Sequence, residues 1–156
     1  MTAATALFDS EDSSATMRFG RLGELYVALH PSVDPAGEDW LAMLDDLKRE
    51  LPSVRGVFVY TMGGGPNADQ RRRLAEVYAA NPGVSLLAVV TPSAAVKAIV
   101  TAINWFVRHA FKMFSPEHLD DAFGHLRASS TEQAAIRELL QRHAKWMGLG
   151  PAARKP

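Results

Sequence analysis

The stretch "VRGVFVYTMGGGPNADQRRRLAEVY", residues 54–78, carries a strand, a glycine-rich loop and a helix in that order. The run from Val54 to Met62 is rich in β-branched and aromatic residues, a composition that suits a central strand covered on both faces. Gly63, Gly64, Gly65 and Pro66 then break the pattern, and the glycines permit a tight turn with positive φ. Asn67 stands in the capping position of a helix over about 68–80, with Gln70 where a capping-box partner belongs. Asn81, Pro82 and Gly83 close that helix. A glycine loop between a strand and a helix is also a common way to hold a phosphate.

The loop lacks what phosphate binding needs. A P-loop places a Lys-Ser/Thr pair at the helix start to reach the phosphates and the magnesium ion, and these positions here carry acids and amides. No G-x-G-x-x-G is spelled, and Pro66 removes one backbone donor. Asp69, in the first helical turn, would repel an anion. The expectation is therefore no tight binding of ATP or GTP.

Upstream, "TMRFGRLGELYVALHPSV" reads as two short strands, 17–22 and 24–30, with Gly23 at the turn. In "DPAGEDWLAMLDDLKREL" Asp34 can cap a helix and Pro35 suits its first position. Trp40, Leu44, Leu47 and Leu51 fall on one face, and Pro52 ends the helix. Downstream, "VSLLAVVT" is a second buried strand. The segment 94–111 is the longest apolar run, but Lys97, Thr101, Asn104 and Arg108 lay one polar stripe along it. A lipid-facing span would not carry two cations on one stripe, so the segment reads as a helix buried over most of its circumference. "FKMF" is a short strand. A helix over 115–128 follows, with Ser115 as cap and Pro116 at its first position. The last helix covers about 130–147. Ser129 with Glu132, or Ser130 with Gln133, forms its capping box, and Gly148 closes it.

The order β-β-α-β-α-β-α-β-α-α predicts an α/β fold, a mixed and mostly parallel sheet of about five strands with helices packed on it. The 156 residues suit one domain. That domain is expected over 16–148, between an acidic Ser/Thr-rich tail at 1–15 and a second tail at 149–156. The N-terminal stretch has neither a basic start nor a long apolar run and is not expected to be a secretory signal. Basic and acidic residues balance at 17 each, which gives no electrostatic reason to expect nucleic acid or an anionic membrane as partner. The chain has no cysteine, which excludes disulfides, thiolate metal sites and cysteine nucleophiles and fits a reducing compartment.

Little catalytic chemistry is spelled. No histidine pair has the H-E-x-x-H arrangement, and no Gly-x-Ser-x-Gly elbow occurs. His118 and His125 lie two helical turns apart with Asp121 between them, too far apart for one metal ion without help from another element. The adjacent pairs Asp45–Asp46 and Asp120–Asp121 diverge on their helices and do not form acid/base pairs. The expectation is a protein that is not an enzyme, with no metal and no cofactor.

The element order, the polar loop after the third strand and the segment "TPSAAVKAIVTAINWF…FKMFSPEHLDDAFGHL" resemble the STAS domain, the fold of anti-sigma-factor antagonists. The likeness covers about residues 16–128 and is greatest to divergent bacterial members that also carry a SEC14-like label. It implies a cytoplasmic regulatory module for signal transduction, acting through protein–protein binding. Its partner would be a kinase, a GTPase-type switch or a sigma-factor regulator, and a homodimer is left open. The family often carries a phosphorylated Ser or Thr at the start of the helix after the third strand. The matching stretch 63–70 has neither, and Thr61 lies earlier. Partner contacts are then expected from Thr61, Gly63, Gly64, Gly65, Asn67, Asp69 and Arg72, a fixed charge pattern in place of a reversible phosphate. The alternative is a lipid or other small apolar ligand in a pocket beside helix 94–111, with Trp105 and Phe106 as ligand or interface aromatics.

Overall fold

The computed structural model describes residues 14–104 and 111–149. The α/β class is as the sequence predicts. Five strands form one sheet in the order in which they occur along the chain: β1 (Arg18–Leu22), β2 (Leu25–His30), β3 (Gly56–Thr61), β4 (Leu86–Val90) and β5 (Lys112–Phe114). β1 and β2 are antiparallel, joined by a tight turn where Gly23 takes φ 61°. The remaining neighbours are parallel.

Parallel strands laid down in one direction, each joined to the next by a right-handed crossover, put every crossover helix on the same face. Here these are α1 (Gly37–Glu50), α2 (Ala68–Ala79) and α3 (Ala94–Asn104). They cover one apolar layer that includes Tyr26, Ala28, Val57 and Val89 from the strands. Trp40, Leu44, Leu47 and Leu51 are all buried there, as their spacing requires. Pro52 lies in a 3-10 turn, Leu51–Ser53, directly after α1.

That topology leaves the opposite face bare, and the C-terminal helices cover it. α4 (Leu119–Leu126), α5 (Ser130–Arg142) and α6 (Ala144–Met147) bury Phe123, Leu126, Ile136 and Met147 against Leu25, Val27, Phe58 and Tyr60. The helix expected at about 130–147 breaks at His143 into α5 and α6. Together with α4 these two helices form the core layer on that face.

Three further local readings change. Ser115 makes no side-chain capping bond, Pro116–His118 forms a 3-10 turn, and the α-helix begins only at Leu119. Asp34 does not cap α1; the capping residue is Ala36, with no side-chain bond, because the Asp34 carboxylate accepts from the Gly65 amide at 3.1 Å. Over residues 94–101 α3 is less buried than its hydropathy suggests. Val96, Ile99 and Val100 face inward, while Ala94, Ala95, Lys97, Ala98 and Thr101 are exposed. Alanines raise the apolar count of the segment, yet each loses little by facing water. Among the described residues no helix is long and apolar enough to cross a membrane.

Candidate functional site

The carboxyl ends of parallel strands are where open α/β sheets place their sites, since the loops there diverge and leave a crevice. In this sheet β2 ends at His30 and β3 at Thr61, and the two are register partners. Both are buried, and both face the α1–α3 side.

The loops after these strands are stitched together. Met62 N donates to His30 O at 3.0 Å and Gly64 N to Pro31 O at 3.3 Å. Gly65 N donates to Asp34 Oδ1 at 3.1 Å, and Gly63 N to Thr61 Oγ1 at 3.4 Å. The Thr61 hydroxyl in turn donates to Gly64 O at 3.3 Å. Every amide of the glycine triplet is thus committed within the protein, and Asp34 sits where an anion would have to bind. The glycines are needed for close approach: a Cβ on Gly64 would stand 1.7 Å from Val33 O.

The helix start is as the sequence predicts. Asn67 Oδ1 accepts from Gln70 N at 2.8 Å, and Gln70 Oε1 accepts from Asn67 N at 2.9 Å. Gln70 also ties α2 to the start of α1, through Nε2 to Pro35 O and through its carbonyl to Trp40 Nε1, each 3.1 Å. Asp69 pairs with Arg72 at 2.5 Å and Arg73 at 2.9 Å, and Arg72 pairs with Glu76 at 3.2 Å. Hydrogen bonds from Arg73 and Arg72 hold the exposed Asp69 carboxyl below its usual range. Arg71 donates to Pro66 O at 2.9 Å. The basic run is therefore largely paired along its own helix and loop.

Behind the loop, between the sheet and α1–α3, lies an apolar cavity of about 70 Å³. Thr61, Gly64 and Gly65 line it, so three of the loop residues singled out in the sequence meet there, while Asn67, Asp69 and Arg72 do not line it. Trp105 and Phe106 lie outside the described residues. Among the described residues no charged side chain lines it. Tyr26 donates to Asp46 at 2.8 Å, and burial together with that carboxylate pushes its phenol up. Burial likewise raises Tyr78 and lowers His30 to about 4, so the His30 imidazole is neutral at neutral pH. His30 Nδ1 is buried and has no hydrogen-bond partner among the described residues.

Sequence reasoning passed over His30, Tyr26, Trp40 and Tyr78 as site residues. The one available signal was a histidine closing an otherwise apolar strand run, "LYVALH". On the other face, His118 Nδ1 lies 3.5 Å from Asp121 Oδ2 at the surface, and His125 rests against the Phe114 ring at 5.9 Å. Among the described residues no three His, Cys, Asp or Glu side chains gather closely enough to hold a metal ion. The chain matches no protein-family model and no curated protein.

Proposed function

We propose that the protein is a non-enzymatic binding module of STAS-like build that holds a small apolar ligand between its sheet and helices α1–α3. The observation that carries this reading is the cavity itself. A sheet face lined by Ala28, Val59 and Val89 meets Trp40, Ile99 and Phe111 across the cavity, with no charge among the described lining residues. Well-packed interiors hold few voids larger than a water molecule. The volume is about half of the ~150 Å³ that accepts a benzene-sized guest. A group of two or three carbons fits it as it stands, and a guest the size of benzene, butanol or pentane enters as Ile99 or its neighbours move. Solvent extraction of protein purified from its native cell, followed by mass spectrometry, tests the reading. An apolar compound should be recovered in stoichiometric amount and should be lost in Ala28→Leu, which fills the cavity. Equal recovery from both proteins would remove the cavity from consideration.

A second reading, favoured by one exposed feature, treats the loop region as a docking surface for a protein partner such as a kinase, a GTPase-type switch or a sigma-factor regulator. Val33 is 51% exposed beside the glycine loop, and the helix that follows the loop carries the exposed paired charges of Asp69, Arg72 and Arg73. Asp69→Arg should then abolish capture of that partner without moving the melting temperature. Undiminished capture would sink the docking surface. Both readings have the protein act in the cytoplasm.

A further inference from the structure

His30 is 7% exposed at the end of β2, and it lines the cavity. Among the described residues, its Nδ1 is the one buried side-chain atom in the cavity wall without a hydrogen-bond partner. Three other polar residues of the wall are engaged: Thr61 with Gly63 and Gly64, Tyr26 with Asp46, and Trp40 Nε1 with Gln70 O. A buried nitrogen left unpaired carries a desolvation penalty, and such groups in folded proteins are nearly always satisfied by something.

The rest of the wall says what kind of group can satisfy it. Among the described residues no lysine or arginine lines the cavity, so none of them offers a counter-charge to a carboxylate or phosphate placed there. Among the described residues no aspartate or glutamate lines it either, so an ammonium group finds no partner among them. Burial keeps the imidazole neutral, with one donor and one acceptor nitrogen to offer. We infer that the cavity's ligand carries one uncharged hydrogen-bonding group, such as an alcohol, carbonyl or amide, and that His30 Nδ1 is the atom that receives it. The inference rests on the reading of the cavity as a ligand site and adds the ligand's chemistry and orientation.

Matched probes separate the two claims. 1-Butanol and n-pentane have the same number of heavy atoms, and butanoate carries a charge. Each is titrated into the full chain and followed by amide shifts, with the ring nitrogens of ¹⁵N-labelled histidine read in parallel. 1-Butanol should move the His30 Nδ1 resonance, n-pentane should bind without moving it, and butanoate should not bind at pH 7. His30→Leu should lower the ratio of butanol to pentane affinity about tenfold, the worth of one neutral hydrogen bond. His30→Gln, which keeps a donor and an acceptor, should restore part of it. If His30→Leu does not fold, the ring resonance in the unaltered protein decides alone. A butanol complex that leaves the His30 resonance and the affinity ratio unchanged overturns the inference and points to a resident water at Nδ1. Failure of n-pentane and 1-butanol alike overturns the cavity reading beneath it.

Discussion

The Glu132 carboxylate takes a hydrogen bond from the Arg55 guanidinium at 2.7 Å, joining α5 to the residue that precedes β3. The same carboxylate accepts from Glu24 N at 2.8 Å and from Ser129 N at 2.9 Å. Burial raises the Glu132 pKa, but these donors outweigh it and hold the group below its usual range. One side chain therefore caps α5, fixes the β1–β2 turn and answers a cation. Glu132→Ala should cost about 1–3 kcal/mol, since it leaves part-buried donors and a charge without their acceptor. Urea denaturation gives the number. A loss within experimental error would show that α5 does not depend on this node.

The two capping boxes were legible because each needs only residues three apart, Asn67 with Gln70 and Ser129 with Glu132. The apolar faces were legible because helical period and burial agree at Trp40, Leu44 and Leu47. What failed to show was decided by distant residues. Asp34 was read as a helix cap by its local position, yet Gly65, far along the chain, takes its carboxylate. The second layer of α4–α6 follows from strand order, which no local pattern states. His30 became a site residue only because the register of β2 against β3 sets it beside Thr61 at the cavity wall.

His30 makes stability depend on pH in a defined window. Its folded-state pKa is lowered to about 4 by burial, below the 6.5 of an exposed histidine. The unfolded chain therefore takes up a proton at this site that the folded protein refuses until about pH 4. The contribution is complete above pH 6.5 and is lost as pH falls toward 4, amounting to about 3 kcal/mol in all. Glu132, with its depressed pKa, loses its own contribution only at lower pH. Denaturation of the unaltered protein and His30→Gln across pH 7 to 4 should show a slope shallower by one proton in the variant. Parallel slopes would mean that His30 titrates normally.

The glycine loop should separate two kinds of close approach. A Cβ on Gly64 meets the Val33 carbonyl oxygen, a backbone atom that cannot turn aside. A Cβ on Gly65 would stand 2.2 Å from Ile99 Cδ1, the tip of a flexible side chain. Gly64→Ala is expected to cost about 1–3 kcal/mol by overpacking, and Gly65→Ala less. Ile99→Val removes the clashing methyl and should recover most of the Gly65→Ala loss, a coupling that a double-mutant cycle measures. Additive effects at Gly65 and Ile99 would contradict the packing described.

The central claim is that the space between the sheet and α1–α3 receives a small apolar molecule. Amide chemical shifts of the full chain during titration with n-pentane measure this most directly. Saturable shifts at Ala28, Val59, Val89 and Ile99, absent in a folded Ala28→Leu variant, are the predicted result. Shifts that do not saturate, or that persist unchanged in the filled variant, would contradict it.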